Sequence, residues 1–254
     1  MSRKTATPKS RLSEDPLGHY TLKSARCSSH YYGFLLAQGA VEILELGCGK
    51  GHFSEQLIES GNRVTGIDVL PPSAVCVPGL EYIPADLNSQ SLGAMPRLSS
   101  RRFGRILMMD VLEHLLDPER VLRESARLLA PGGSVIVSLP NVANLWVRLM
   151  LLLGRWDYTD RGILDRTHLR FYTRKTARHL LVSSGYAIEK EIATVIPAEL
   201  AFRLSHRNLL MIAINRTLAA ATRLWPTLFG YQFVFLARPA AVPAAGPESC
   251  VAAP

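Results

Sequence analysis

Residues 41–51 read VEILELGCGKG, a short apolar run that ends in closely spaced glycines. After the glycines, apolar residues recur at helical spacing, at Phe53, Leu57 and Ile58. The change of period predicts a strand, a tight glycine turn and a helix. Such a turn lets the backbone approach a ligand closely and aims the free N–H groups of the helix at it.

The glycine spacing indicates what kind of ligand the turn can hold. Gly47, Gly49 and Gly51 form G-x-G-x-G, whereas the dinucleotide fingerprint needs its third glycine at the position of His52. A carboxylate at Glu45, just before the turn, would repel a pyrophosphate but could receive an ammonium group. The turn therefore favours a nucleoside with a positive or zwitterionic tail. A plain connection between a strand and a helix is the alternative.

Acidic residues follow the next two predicted strands. Asp68 ends the second strand about twenty residues after the glycine turn, the distance at which an acid binds ribose hydroxyls. A third apolar run, residues 80–85, leads to Asp86 and Leu87, which suit an adenine amino group. Three acids at successive strand ends would meet in one crevice. A single Asp after a strand is more often a turn former or a helix cap.

The motifs LELGCGKG, GIDV and PADL resemble those of the class I S-adenosylmethionine-dependent methyltransferases. The resemblance continues through MMDVLEHLLDPERVLRESARLLAPGGSVIVSLPN and covers residues 41–186 and the last strand. It implies an α/β fold with a doubly wound, mostly parallel seven-stranded sheet. The alternation of strands and helices also indicates a parallel sheet with helices on both faces.

The resemblance implies which residues face S-adenosylmethionine. The glycine turn and Glu45 would face its methionine part, Asp68 its ribose, and Asp86 with Leu87 its adenine. The full predicted cofactor set is Glu45, Gly47, Cys48, Gly49, Asp68, Val69, Asp86, Leu87 and Asp110. Cys48 is interpreted as a small turn residue rather than a nucleophile.

A hydroxyl acceptor needs a base or a metal to ease loss of its proton. If residues 110–114 turn as a helix, then Asp110, Glu113 and His114 share one face. With His168 of the later DRTHLRFYTR segment they would form a site for Mg, Mn or Zn. The predicted catalytic residues are Glu113, His114 and His168, and Asp110 joins them as a metal ligand. Alternatively, the Glu-His pair binds no metal, and the Asp-Pro that follows it only starts a helix.

This cluster resembles that of ubiquinone-pathway O-methyltransferases. It also resembles small-RNA 3′-terminal ribose methyltransferases, in which a later histidine precedes an aromatic-Thr-Arg stretch. The sequence departs from both families at Asp110, where they carry glutamate. The shorter side chain of aspartate weakens the case for a metal. Nearby arginines, Arg166, Arg170 and Arg174, could bind a phosphate or a sugar acid or simply be solvated.

The composition of the chain indicates which partners and which domain organisation to expect. The chain has 254 residues, a net charge of +8 and a pI of about 9.6, which favours anionic partners such as nucleic acid, phosphorylated carriers or an acidic membrane face. Its four cysteines form no C-x-x-C pair, and no signal segment or spanning-length apolar run is evident, so a cytoplasmic protein is expected. The prediction is a basic disordered tail (1–18), a methyltransferase domain (19–238) and a Pro/Ala-rich disordered tail (239–254).

Three further helical segments are predicted in the domain. Residues 20–38 lead into the first strand, and residues 141–157 form an apolar helix that is interpreted as core or lid rather than as an interfacial element. Residues 197–225 are predicted to be a helical insertion before the last strand. Its arginines among aliphatic residues would suit a membrane surface or a lipid-linked substrate, although packing is the simpler interpretation.

The leading hypothesis is O-methylation of a hydroxyl on a small molecule, a sugar or a lipid-linked glycan, with His168 as base or metal ligand. The PNVANLWVRLMLLLGRWDYTDRGILDRTHLRFYT stretch resembles bacterial methyltransferases that act on cell-surface glycans and natural products. The alternatives are ribose methylation of RNA and a non-catalytic accessory role like that of MetW-type proteins. The sequence leaves the oligomeric state and any peripheral membrane contact open.

Overall fold

A computed structural model describes residues 28–196 and 209–240. The strands are β1 (Glu42–Leu46), β2 (Arg63–Asp68), β3 (Glu81–Pro84), β4 (Phe103–Met109), β5 (Leu129–Pro140), β6 (Tyr186–Ala193) and β7 (Gln232–Pro239). The helices are α1 (Ser29–Ala37), α2 (His52–Glu59), α3 (Pro96–Ser99), α4 (Pro118–Leu128), α5 (Leu145–Leu152), α6 (Arg174–Ser183), α7 (Leu209–Leu224) and α8 (Pro226–Phe229).

All the described strands join one sheet in the order β3-β2-β1-β4-β5-β7-β6. Strands β1 to β5 pair in parallel with their neighbours, whereas β7 runs antiparallel to both β5 and β6. The central strands are buried along most of their length because helices cover both faces of the sheet. This confirms the predicted α/β fold with a mostly parallel seven-stranded sheet.

Two apolar cores fill the space between the sheet and its helices. On one face, Phe34 of α1 and Phe53 of α2 pack with Ile43 and Leu107 of the central strands. On the other face, the buried sides of α3, α4 and α6 form a larger core with the sheet. Because the sheet is fixed from both sides, the carboxyl ends of its parallel strands form a rigid edge for the site.

Several predicted boundaries agree with the structure, and one strand start was wrong. The sequence pattern predicts a fourth strand at 103–110, a sixth strand at 186–193 and a helix whose start is marked by Thr173. The structure confirms these predictions to within one residue, and the Thr173 side chain caps α6. The APGG stretch at residues 130–133 predicts the end of the preceding helix, and α4 does end at Leu128. The apolar run 135–139 predicts the fifth strand, but this predicted start was wrong, because β5 begins at Leu129. The APGG residues continue the strand, and the β4–β5 register shifts between Phe103 and Arg105.

The segment after β4 was also predicted wrongly. Asp110 has φ of 59°, a left-handed backbone conformation, and Leu112–His114 then form a single 3-10 turn. Since a right-handed helix cannot pass through that conformation, residues 110–114 do not present one helical face.

The described part of the predicted insertion 197–225 is α7 with the following Trp225, and α8 lies between it and β7. The predicted tail 1–18 and residues 197–208 of the insertion lie outside the described residues, as does the predicted tail 239–254 apart from its first two residues. The domain division therefore stays a prediction. Among the described helices, none is long and apolar enough to cross a membrane.

Helix α5 differs from the core helix that its composition suggested. Val147 is its buried residue, whereas Trp146, Leu149 and Leu152 are exposed. Of the two predicted roles of residues 141–157, core or lid, the exposure of α5 excludes core for most of the helix, and the lid role stays a prediction.

Candidate active site

The glycine turn after β1 has the left-handed backbone that its sequence requires. Gly47 has φ of 71°, and a Cβ atom there would lie 2.5 Å from Cγ2 of Val111. Gly49 has φ of 54°, but the place of its missing Cβ faces open space with no atom within 4 Å. Close packing against Val111 therefore leaves no room for a side chain at Gly47. The space beside Gly49 is open to a ligand, and we call it the cradle.

Asp68 stands beside this cradle at the end of β2. Its Oδ2 accepts a hydrogen bond from the Gly49 N–H (2.7 Å), and its Oδ1 accepts one from the Leu70 N–H (3.2 Å). These bonds fix the carboxylate while it stays partly exposed, so each oxygen keeps a lone pair for ribose hydroxyls. The neighbouring Val69 side chain is exposed.

Glu45 is the buried acid of the turn. Its side chain is 3% exposed and accepts a hydrogen bond from the Ser54 hydroxyl of α2. Burial raises the pKa of Glu45 from 4.5 to about 8, the Ser54 hydrogen bond lowers it, and the charge of Asp68 raises it further. A cation at the cradle would stabilise the ionised form of Glu45, as predicted for a ligand ammonium group.

The remaining predicted cofactor residues flank the same edge. Asp86 is partly exposed, and its Oδ1 accepts the Asn88 N–H (2.8 Å), while Leu87 is buried. The Cys48 thiol is buried against Gly66, where a Cβ would lie 2.8 Å from the sulfur. Burial raises the pKa of Cys48, so the thiol stays protonated and fills space.

These residues fit S-adenosylmethionine. The open cradle at Gly49 can accept the close approach of a ligand, and the fixed Asp68 carboxylate can bind two hydroxyls. The acids Glu45 and Asp68 favour a cationic ligand over an anionic one.

A second cluster lies beyond the ends of β4 and β5. One ligand atom from each of Glu113, His114 and His168 lies within 4.8 Å of the other two. Glu113 and His168 are buried, with Oε1 and Nε2 3.9 Å apart. The His114 and His168 rings meet edge to face with centroids 4.8 Å apart. The structure thus brings together the Glu-His pair and the distant histidine, as the sequence predicted.

Backbone hydrogen bonds hold the His168 loop onto the segment after β4. The Leu169 and Arg170 N–H groups donate to the carbonyl oxygen of Glu113 (2.9 and 3.1 Å). The Arg170 guanidinium also donates to the Leu116 carbonyl oxygen at 2.6 Å. The two parts of the cluster are therefore positioned by main-chain contacts, which do not depend on the reacting side chains.

Both imidazoles are oriented by main-chain carbonyls. His114 Nδ1 lies 3.1 Å from the Thr167 carbonyl oxygen, and His168 Nδ1 lies 3.1 Å from that of Ile163. Because a carbonyl can only accept, Nδ1 carries the proton and Nε2 of the neutral ring keeps a lone pair. Burial and the charge of His114 lower the pKa of His168, which favours its neutral form.

Asp110 corrects the predicted metal set. Its carboxylate is not among the three clustered ligand groups. Its Oδ1 accepts hydrogen bonds from the Ser138 hydroxyl and from Nε2 of Gln232 (2.7 Å). The left-handed backbone at Asp110 directs the side chain towards β5 and β7, so the described cluster has three candidate ligands instead of four.

The predicted phosphate-binding arginines also have other roles. Arg166 pairs with Asp160, Arg174 pairs with Glu191, and Arg170 binds the carbonyl of Leu116. Their hydrogen bonds are directed at the protein, so the structure does not gather them into an anion site.

A family model described as "Methyltransferase domain" matches residues 8–191. This chain belongs to that methyltransferase family. A ubiquinone biosynthesis O-methyltransferase of Xanthomonas oryzae pv. oryzae (strain PXO99A) is 33% identical over 114 residues, 44% of this chain and 48% of the relative. The relative of the same name from Aeromonas salmonicida (strain A449) is 35% identical over 130 residues, 50% of this chain and 53% of the relative. The chain thus spans about half the length of these curated relatives.

Solved methyltransferase structures share the fold. A SAM-dependent methyltransferase from Archaeoglobus fulgidus superposes with a TM-score of 0.54 at 17% identity, covering 82% of this chain and 93% of that one. The N-methyltransferase NodS of Bradyrhizobium japonicum WM9, in complex with S-adenosylhomocysteine, has a TM-score of 0.51 at 16% identity, covering 84% and 85%. Together with the family match, they identify the fold and motifs of a class I SAM-dependent methyltransferase.

One feature beside the cluster of Glu113, His114 and His168 was not predicted from the sequence. Phe171 lies 6.1 Å from His168 between ring centroids, and Trp156 contacts Phe171 edge to face at 5.3 Å. The half-exposed Tyr158 ring lies 6.5 Å from both Trp156 and Phe171. The signal was present in the closely spaced aromatics of the segment before and after His168. These rings form an aromatic wall that continues outward from the histidine.

Proposed function

We propose that this protein transfers the methyl group of S-adenosylmethionine to a hydroxyl oxygen of a small acceptor beside Glu113, His114 and His168. The observation that carries the proposal is the cluster of two imidazoles and a buried carboxylate, two residues beyond Val111, which packs against Gly47 of the cofactor turn. The bound cofactor supplies an activated methyl group on a sulfonium centre. The protein then has to orient the acceptor and remove its proton.

His168 is the proposed general base. Its lowered pKa keeps Nε2 unprotonated at neutral pH, and its Nδ1–H is held by the Ile163 carbonyl. Glu113 Oε1, 3.9 Å from Nε2, would stabilise the imidazolium that forms when the acceptor proton is taken up. Activity should therefore rise with pH through a pKa below the ordinary histidine value of about 6.5.

The same three side chains fit a divalent cation. One carboxylate oxygen and two imidazole nitrogens are suitable ligands, and the carbonyls at both Nδ1 atoms orient the rings as in protein metal sites. A bound Mg, Mn or Zn ion would lower the pKa of the acceptor hydroxyl. Activity measured after chelation and after re-addition of each metal separates the two versions of the proposal.

The acceptor is proposed to be a ring-bearing small molecule, a sugar or a lipid-linked glycan. The curated relatives are named ubiquinone biosynthesis O-methyltransferases, which supports a hydroxyl acceptor. The aromatic wall of Trp156, Tyr158 and Phe171 offers apolar ring faces beside His168. Ribose methylation of RNA gains less support, because Arg166 and Arg174 are paired with carboxylates.

The test is methyl transfer from labelled S-adenosylmethionine to a panel of phenols, sugars and glycolipids. We expect His168→Ala to lower turnover by about 10² to 10⁴-fold, the range for loss of a general base, while cofactor affinity is retained. His179→Ala, which removes an exposed histidine of α6, is the matched control. Cofactor binding without transfer to any acceptor would favour the accessory role instead.

A further inference from the structure

Large apolar side chains that the proposed reaction does not use are exposed along α5 as far as its C-cap Leu153, and at the end of α7 as far as Trp225. The exposed fractions are 62% for Trp146, 43% for Leu149, 81% for Leu152, 68% for Leu153, 87% for Leu224 and 58% for Trp225. We call these six residues the apolar patch. Soluble monomers rarely expose large apolar side chains in such groups, so the patch indicates a binding surface.

The α5 members of the patch share a helix surface. Trp146, Leu149 and Leu153 are spaced i, i+3 and i+7, and Leu152 lies three residues after Leu149. Only Val147 of this helix is buried, among the described side chains. The helix is therefore attached to the domain by one narrow face and presents the rest outward.

Hydrogen bonds join the residues at the start of α5 to the residues that follow α7. Nδ2 of Asn141, before α5, donates to the Thr227 carbonyl oxygen at 2.9 Å. Nδ2 of Asn144, the N-cap of α5, donates to the Gly230 carbonyl oxygen at 2.9 Å. Because α8 follows Trp225 directly, the start of α5 and the end of α7 are held close together.

The two segments that carry the patch contain charges of one sign. The sequence contains no Asp or Glu between Glu124 and Asp157, nor between Glu199 and Glu248. Both segments carry exposed arginines, among them Arg148 of α5 and Arg223 of α7. Within the described part of the chain, neither of these two pairs with a carboxylate. A surface of tryptophan, leucine and arginine without acids complements an anionic, apolar partner.

We propose that the apolar patch docks on the surface of a bilayer that contains anionic lipid. Tryptophan and leucine enter the boundary between headgroups and acyl chains, and arginines remain at the level of the lipid phosphates. Each basic residue near such a surface adds attraction that salt screens. The helix lies on the membrane and does not cross it. This surface is independent of the proposed methyl transfer.

The test is co-flotation of the full chain with vesicles of pure phosphatidylcholine or of phosphatidylcholine mixed with phosphatidylglycerol. We expect binding to the mixed vesicles and a lower bound fraction in high salt. Leu152→Ser with Leu153→Ser should weaken this binding about tenfold or more, because two leucines lose their contact with lipid. Val41→Ser with Val182→Ser, which changes two exposed apolar residues outside the patch, should bind like the parent chain.

A variant without the two arginines and a measurement of the oligomeric state complete the test. Arg148→Gln with Arg223→Gln should lower binding to the mixed vesicles and flatten its salt dependence. Equal binding to both vesicle types would overturn the proposal, as would no binding to either. If sedimentation shows a dimer that the leucine variant dissociates and vesicles do not bind, a second copy of the chain covers the patch and the proposal is wrong. Unchanged S-adenosylmethionine binding by the leucine variant shows that its site remains folded.

Discussion

Replacing Glu45 by glutamine should change how the stability of the protein depends on pH. In the folded chain without ligand, burial raises the pKa of Glu45 from 4.5 to about 8. A shift of this size corresponds to about 5 kcal/mol between the two protonation states, which is an upper limit for the effect on stability. Because the folded state binds the proton more tightly than the unfolded state, this contribution is present below pH 4.5 and is lost as pH rises towards 8.

The assay is urea unfolding of the ligand-free protein at pH 5.5 and pH 8, followed by circular dichroism. We expect the parent chain to lose more stability across this interval than Glu45→Gln. The neutral glutamine side chain can still accept a hydrogen bond from the Ser54 hydroxyl. At pH 8 the variant should be the more stable by a few kcal/mol, and it should bind S-adenosylmethionine more weakly. Glu55→Gln, which changes an exposed acid of α2, is the matched control. Equal pH dependence in Glu45→Gln and the parent would refute the assignment of Glu45 as a buried, proton-binding acid.

Three further substitutions test the geometry around the site. Gly47→Ala should destabilise the fold by about 1–3 kcal/mol in thermal unfolding, because its φ is 71° and the new Cβ would meet Val111 at 2.5 Å. Gly49→Ala meets no atom within 4 Å, so it should cost less stability yet weaken cofactor binding measured by calorimetry. Ser138→Ala removes a hydroxyl that donates to Asp110 and accepts its N–H, and we expect a loss of about 1–3 kcal/mol in urea unfolding. A stability equal to that of the parent would show that the left-handed turn at Asp110 does not need this support.

The parts that the sequence predicted well are those in which local chemistry and global fold agree. The glycine turn, Asp68 at the end of β2 and the capped start of α6 each follow from a few adjacent residues. The pairing of Glu113 with His168 spans 55 residues, and the resemblance to a known family supplied what spacing alone could not. The antiparallel β7 also needs tertiary information, because its apolar run does not reveal its direction.

The failures share a physical cause, which is competition between a local pattern and a long-range contact. The spacing of Asp110, Glu113 and His114 suits a helix, but Ser138 and Gln232 bind Asp110 from β5 and β7. The apolar composition of α5 suits a core helix, yet the domain buries only Val147 of it. Hydrophobicity predicts that a face needs a partner, and it does not identify whether that partner belongs to the same chain.

Calorimetric titration with S-adenosylmethionine shows whether the glycine turn and the acids at the strand ends bind this cofactor. We expect one bound molecule per chain and an affinity lowered about tenfold or more in Asp68→Ala, which removes the carboxylate fixed beside Gly49. Glu55→Gln should bind like the parent chain. If the parent chain does not bind, or if Asp68→Ala binds with equal affinity, these residues do not form the cofactor site.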